Sequence, residues 1–359
     1  MVRQELVEIL DMPLDISGKD IYIWGTGNTT LLYQEGLNRL DTEGSLHITG
    51  YVDNNSGKWG QTFCDKPVIS PQELKEHTNA CALICSPQPQ VISAVRQQLK
   101  ELQVSGYHID EAILKLHKEK VLECYDLLYD AESQEIFAHI IACRINGEYP
   151  QEKYVSSEQY FALKNFRQRN PREVFIDCGA FVGDSAERYI WKKDGVFGKI
   201  IAFEPDLQNY RALEKRTDRL KEEWNFAPEQ IEIYPYGISD HSSYSKVEQD
   251  SVNNGLSSKI TESSSAEGVT CRIVTIDDFI KEPFTFLKAD IESYEYRMIS
   301  GAQNSITKYH PLLAVCIYHN AADLYDIPLF IKSLVPEYNI QIRHHSDLLD
   351  ETVLYAWID

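Results

Sequence analysis

Four glycine-rich or acidic steps recur between Asp177 and Glu292, each behind a short apolar run, and their residue types suit a nucleoside-type ligand. The first is Asp177-Cys178-Gly179-Ala180-Phe181-Val182-Gly183-Asp184-Ser185, behind Val174-Phe175-Ile176. Its glycines let the backbone turn tightly and approach a ligand, and the helix that follows offers unpaired N–H groups. A single turn of this kind is weak evidence. In the second step, Phe203-Glu204-Pro205-Asp206, the carboxylate of Glu204 stands about 20 residues beyond the turn, where an acidic side chain accepts both ribose hydroxyls. The third, Gly237-Ile238-Ser239-Asp240, offers polar groups to an adenine edge, and the fourth is Lys288-Ala289-Asp290-Ile291-Glu292. Ligands of open α/β sheets bind at the carboxyl ends of the strands, so the four steps would converge there.

An acceptor group for a proton is also in place. His319 follows the apolar run Ala314–Tyr318, and Asp290 ends a neighbouring one; a histidine titrates near neutrality without a large shift. Asp290 and Glu292 could equally be carboxylates stabilised at a helix N-terminus. Asp290, Glu292 and His319 combine hard oxygen donors with an imidazole, but no ligand spacing calls for a metal. His344 and His345 sit on alternate faces of a strand, so at most one points at the site.

These residues need strands to carry them. Apolar runs predict strands at Val174–Ile176, Ile200–Phe203, Ile231–Tyr236, Phe284–Ala289 and Leu312–Tyr318, with helices between. Two more, Asn339–His344 and Thr352–Trp357, make a terminal hairpin. The stretch Gln249–Gly268, rich in Ser, Asn, Gly and Glu, is expected to be a loop placed where a lid could be inserted.

A smaller α/β unit precedes this one. Ile21–Trp24 runs into Gly25-Thr26-Gly27-Asn28-Thr29-Thr30 and a helix, and Asp53 follows a second strand, Leu46–Val52. This is two-thirds of a dinucleotide fingerprint, with Thr30 where a third glycine would stand, and it makes Gly25, Gly27 and Asp53 a second nucleotide-type site. The alternative for this unit is a scaffold for homo-oligomerisation or for presenting substrate. Between the units, Ile113, Leu114, Leu116, Val121, Leu122, Tyr125 and Leu128, then Ile136, Phe137, Ile140, Ile141 and Ile145, recur at helical spacing, and Gly147 is the stop. The division is thus 1–108 for a Rossmann-like domain, 109–155 for a helical connector and 156–359 for the domain carrying the four steps.

Composition narrows the function classes. The 359 residues carry 55 acidic and 35 basic side chains, a formal net charge of -20. Such a surface repels phosphate backbones and anionic membranes, which argues against a nucleic-acid substrate. Eight cysteines without a C-x-x-C pair, several inside apolar runs, are expected to be buried free thiols suited to a reducing cytoplasm. No apolar stretch approaches a membrane span and the N-terminus has no secretory pattern, so the chain is expected to be cytoplasmic.

VFIDCGAFVGDS, IAFEPD, GISD, FLKADIESYE, IYHN and RHHSDLLDETVLYAWID, in that order, resemble the FkbM family of S-adenosylmethionine (SAM)-dependent methyltransferases, from about Tyr160 to the C-terminus. The resemblance implies a class I methyltransferase fold, a Rossmann-like sheet closed by the antiparallel hairpin, and methyl transfer to oxygen on a glycan, nucleotide sugar or related small metabolite. It makes Asp177, Gly179, Gly183 and Glu204 the cofactor cradle, Ser239 and Asp240 the adenine side, and Asp290 the methyl-transfer side. One departure stands out. Where the family often has Asp-Val-Glu-Gly-Ala-Glu, this chain has Asp290-Ile291-Glu292-Ser293-Tyr294-Glu295. The first unit resembles the Rossmann-like modules found beside sugar-modifying enzymes. Two other functions fit the same residues: an NAD(P)-dependent oxidoreductase or epimerase, and a non-catalytic scaffold that keeps the fold.

Overall fold

A computed structural model describes residues 2–42, 44–249, 258–262 and 270–359, and strands among them form three sheets. The first is built from β1 (Asp20–Trp24), β2 (Ile48–Val52), β3 (Thr62–Phe63), β4 (Lys66–Ile69), β5 (Ala80–Ile84) and β6 (Ser105–His108), in the order β3-β4-β2-β1-β5-β6. All neighbours are parallel except β3 and β4. Every residue of β5 is buried, which is why this strand is a continuous apolar run and not an alternating one. Ser70 caps the helix Pro71–Leu74 by accepting the Glu73 N–H at 3.0 Å, as the Ser-Pro pair predicts. β6 has no apolar alternation to betray it; it is an edge strand held by its pairing with β5.

Three helices follow, Ile109–Leu116, Lys118–Leu127 and Ala131–Asn146. Asp130 accepts the Ser133 N–H at 2.8 Å at the start of the last, and Gly147 ends it at φ +72°. The expected one-sided stripe on this helix is a correction: every residue from Ile136 to Ile145 is buried. The helix packs against the strand Asn339–His344 and against the helices Ile109–Leu116 and Arg3–Leu10. A helix covered all round belongs to the core. One apolar core accordingly runs from Ile23 in β1 through Phe137 and Ile141 to Ile317.

The rest of the chain supplies β7 (Val174–Cys178), β8 (Lys199–Phe203), β9 (Ile231–Tyr234), β10 (Tyr236–Ile238), β11 (Ser243–Gln249), β12 (Ser258–Glu262), β13 (Thr270–Val274), β14 (Phe286–Ala289), β15 (Leu312–Cys316), β16 (Asn339–His344) and β17 (Thr352–Trp357). The large sheet has the order β16-β17-β15-β14-β7-β8-β9. It is parallel from β15 to β9, and β17 lies antiparallel between β15 and β16. Aromatic rings fill one side: Phe175 stacks on Tyr189 at 4.3 Å between centroids, and Phe286 lies 4.9 Å from Phe175 and 5.4 Å from Phe166. Each such ring, buried, contributes about 1.5–3 kcal/mol.

The expected single strand Ile231–Tyr236 is broken. Pro235 has no N–H to give the ladder, and beyond it β10 leaves for a separate sheet of order β10-β13-β11-β12. The expected loop Gln249–Gly268 is in part strand, since β11 and β12 pair antiparallel there. Residues 250–257 and 263–269 lie outside the described residues. All eight cysteines are free, seven of them buried. Among the described residues, no helix is long and apolar enough to cross a membrane.

Candidate active site

A cleft of about 290 Å³ opens at the carboxyl ends of β7, β8, β10 and β14, near the lower end of the range for small-molecule sites. Its floor is the turn after β7. The N–H groups of Gly179 and Ala180 donate to the Phe203 carbonyl at 3.1 and 2.9 Å, which bends the chain sharply over the end of β8. Gly179, Phe181 and Gly183 all take left-handed backbone angles, with φ of +77°, +48° and +85°. At Gly179 there is no room for a side chain either: a Cβ would overlap the carbonyl of Asp290.

Glu204 is buried against this turn and lines the cleft. Its Oε2 accepts the Phe181 N–H and its Oε1 the Asp206 N–H, both at 2.9 Å. Burial pushes its pKa up to about 7 despite these donors. Each oxygen keeps a lone pair for a further donor, so the carboxylate is fitted to hold a pair of ligand hydroxyls. Asp206 caps the helix Leu207–Trp224 through the Gln208 and Asn209 N–H groups, which holds the Glu204 loop in place.

At the other end stands Asp290. Its Oδ2 accepts from the Tyr160 hydroxyl at 2.8 Å and its Oδ1 from the Tyr318 hydroxyl at 3.1 Å. Burial would raise its pKa, but the charges of His319 and Lys288 and these two phenols hold it below the ordinary carboxylate value. Glu351, which also lines the cleft, is pushed up to about 7, by burial first and by the charge of Asp290 next. His319 is behind this wall. Its Nε2 is 3.4 Å from Asp290 and 3.7 Å from Glu292, and its Nδ1 is 3.2 Å from Glu295. Burial would lower its pKa, yet the carboxylates of Glu295, Glu292 and Asp290 prevail and raise it to about 10. The expectation that His319 shifts little from neutrality is therefore corrected: the carboxylates around the ring push its pKa up.

The remaining predicted residues lie around the cleft and not in it. Asp177 is wholly buried beneath the turn, with Oδ1 3.1 Å from Lys288 Nζ and Oδ2 accepting from Ser185 at 2.5 Å. Gly183 begins the helix Asp184–Lys192, and a Cβ there would lie 2.8 Å from Leu213. On the third-strand side the wall is Tyr236, Gly237 and Ile238; Ser239 and Asp240 stand one step further on, bonded to each other at 3.1 Å. His344 bonds Thr352, and His345 bonds Ser156 and Tyr355, so both serve the hairpin. Gly25 approaches the Cys85 carbonyl, but a Cβ at Gly27 would meet nothing within 4 Å. The Asp53 carboxylate is engaged by Thr26, by Lys58 at 2.9 Å and by the Asn55 N–H at 2.8 Å.

Ser293, where the resembling pattern has glycine, stands in a backbone conformation that favours glycine. It takes φ +75°, and Glu292 before it +56°. Glycine is favoured at such angles, and serine there carries strain.

Sequence reasoning does not single out Tyr160, Tyr318, Lys288 and Glu351, which line the cleft, or Glu295, which is buried behind its wall. Nor does it single out Arg144, the buried link between the two large sheets. It donates to Asp110 at 2.8 Å and to the carbonyls of Tyr318 and Leu349, while Asp110 accepts from Tyr33 at 2.5 Å. Arg144 thus fixes the turn that carries Tyr318 and His319. Arg144→Lys keeps the charge but loses the fork, and a loss of about 1–2 kcal/mol in urea denaturation is expected.

Residues 177–341 match the family model described as Methyltransferase FkbM domain, and residues 17–110 match one described as C2185-like, N-terminal. No curated protein matches the chain. Among solved structures, a methyltransferase FkbM from Methylobacillus flagellatus KT aligns with a TM-score of 0.58 and 20% identity, over 99% of this chain and 98% of its own. That likeness is one of fold, and it takes in both large sheets. An rRNA methylase from Streptococcus thermophilus (TM-score 0.36, 11% identity, 57% of this chain and 100% of its own) is more distant. So is a methyltransferase from Geobacter sulfurreducens (TM-score 0.31, 10% identity, 65% of this chain and 92% of its own).

Proposed function

We propose that the chain, with SAM as cofactor, methylates a hydroxyl of a glycan, nucleotide sugar or related small metabolite; the match of residues 177–341 to the methyltransferase FkbM domain and the likeness of fold support this reading. The observation that carries this reading is the acceptor end of the cleft, where the carboxylates of Asp290, Glu292 and Glu351 meet the phenols of Tyr160 and Tyr318. Such a wall offers many hydrogen-bond acceptors and suits a polyhydroxylated molecule.

When bound, the cofactor supplies an electrophilic methyl carbon. The protein has then to hold an acceptor oxygen in line with it, and positioning of this kind is worth several kcal/mol. Glu204 takes the ribose hydroxyls, Gly179 lets the backbone close on the ligand, and Asp177 and Gly183 hold the turn from below. Tyr236–Ile238, which line the cleft, would hold the adenine side, with Ser239 and Asp240 shaping that side from behind. Asp290 accepts the hydrogen bond of the acceptor hydroxyl, and His319 acts through Asp290 as a positioning residue. Residues 156–359 constitute this catalytic domain, 109–155 the connector and 1–108 a domain whose engaged Asp53 favours a scaffolding or substrate-presenting role.

Calorimetric titration with SAM is expected to show saturable binding, and Glu204→Ala to weaken it about 100-fold, the loss of two charge-assisted hydrogen bonds. The pH dependence follows from the raised pKa of Glu204. The ionised carboxylate is the form that accepts ribose hydroxyls, and below about 7 it is increasingly protonated. Affinity should fall roughly tenfold from pH 8 to pH 6 in the wild type, and this slope should vanish in Glu204→Gln. Absence of SAM binding at any pH refutes the cofactor assignment. Transfer of a methyl mass to a glycan or nucleotide-sugar pool, seen by mass spectrometry, tests the acceptor class.

A further inference from the structure

Behind the acceptor wall the protein buries donor atoms that it leaves without hydrogen-bond partners. Glu295 has no exposed side-chain surface; its Oε1 accepts the Ile291 N–H at 2.7 Å, while its Oε2 is without a hydrogen bond. His319 is 4% exposed, and neither ring nitrogen is hydrogen-bonded. Unmet donors and acceptors at such depth are costly, and a native structure seldom keeps them without a ligand.

The distances suggest what kind of ligand. One donor atom each from Asp290, Glu295 and His319 lies within 4.8 Å of the other two. The closest approaches, 3.2 Å from Nδ1 to Glu295 and 3.4 Å from Nε2 to Asp290, are ion-pair distances without hydrogen-bond alignment. An ion takes only one ring nitrogen, and donors held about 2.1 Å from one small divalent ion stand about 3.0–4.2 Å apart, so one nitrogen of His319 with one oxygen from each carboxylate comes close to the spacing such an ion needs. Charge points the same way. The ring is ringed by three carboxylates, those of Asp290, Glu292 and Glu295, and the neighbouring cation, Lys288, is committed to Asp177 and the Gly179 carbonyl.

We propose that Asp290, Glu295 and His319 bind a hard divalent cation, Mn²⁺ or Mg²⁺, at the acceptor end of the cleft. The two carboxylates suit both ions, the lack of a thiolate disfavours softer ones, and the single imidazole favours Mn²⁺ over Mg²⁺. The ion neutralises the carboxylate cluster and leaves coordination positions toward the cleft. That last consequence, orientation of acceptor oxygens, rests on the methyltransferase reading; the binding itself does not.

The test uses the full chain, stripped of metal with a chelator and titrated with Mn²⁺ alone, with free Mn²⁺ followed by its EPR signal. One ion per chain is expected, displaced by excess Mg²⁺, with affinity lowered tenfold or more in Glu295→Gln and in His319→Gln. Pulsed EPR of bound Mn²⁺ in the wild type should show an imidazole nitrogen coupling, a readout that does not depend on either variant folding. No saturable binding, or binding without the nitrogen coupling, overturns the proposal. SAM titration of the same metal-free sample is scored separately, so a failed metal site and a failed cofactor site are distinguishable.

Discussion

Gly179→Ala is expected to lose SAM binding altogether and to cost about 3–5 kcal/mol of stability, measured by calorimetry and by urea denaturation. Two penalties add at this position. At φ +77° an alanine is strained, by about 1–3 kcal/mol. Its Cβ would also overlap backbone, the Asp290 carbonyl, with Ile291 Cγ2 only 2.9 Å away. Backbone cannot rotate aside as a side chain can, so either the turn or the end of β14 must shift. Both line the cleft, and a displacement of either changes its shape. Gly27→Ala provides the control within the same chain. It opens an equally glycine-rich turn, but its Cβ would meet nothing within 4 Å, and a change within about 0.5 kcal/mol is expected.

That contrast also shows what the sequence can and cannot convey. The two glycine turns look alike on paper, and what separates them is long-range. Gly179 is hemmed in by a residue 111 positions later in the chain, brought there by the pairing of β7 with β14. The place of Glu204 against the turn was legible because it needs only a strand end and a fixed interval from the glycines. The terminal hairpin was legible from two alternating runs, though not that β17 would insert between β15 and β16. Tyr160, Glu295 and Glu351 were not, since a buried tyrosine or a glutamate beside a helix looks the same whether or not it faces a ligand. Lys288 did carry a signal. A lysine in the run Phe286–Ala289, every residue of which is buried, must have a partner, and Asp177 in the same register on β7 is that partner. Ser239 and Asp240 stand just beyond the cleft lining, after β10, because β9 ends at Tyr234, two residues before the expected end, and Pro235 separates it from β10.

Lys288→Met should be the most destabilising single change that leaves side-chain volume nearly intact, by about 3–5 kcal/mol. In the wild type the ammonium is 2% exposed, 3.1 Å from Asp177 Oδ1, 2.6 Å from the Gly179 carbonyl and 5.0 Å from the Tyr160 ring. Removing it leaves the Asp177 carboxylate buried with Ser185 as its remaining hydrogen-bond donor, and leaves the Gly179 carbonyl without this one. The pair is thus a clamp on the turn after β7. Asp177→Asn combined with Lys288→Met removes the stranded charge, so the double variant should recover about 1–3 kcal/mol relative to the sum of the single changes. The pH dependence has a definite sign. Burial already holds the Asp177 pKa above 3.8 against the lysine's pull, and loss of the lysine raises it further. A carboxyl whose folded pKa exceeds its unfolded one favours the folded state at low pH and loses that stabilisation as pH rises through the folded value. The deficit of Lys288→Met against wild type should therefore be smaller at pH 5 than at pH 8, and a deficit that grows on acidification would show that Asp177 is not the group left uncompensated.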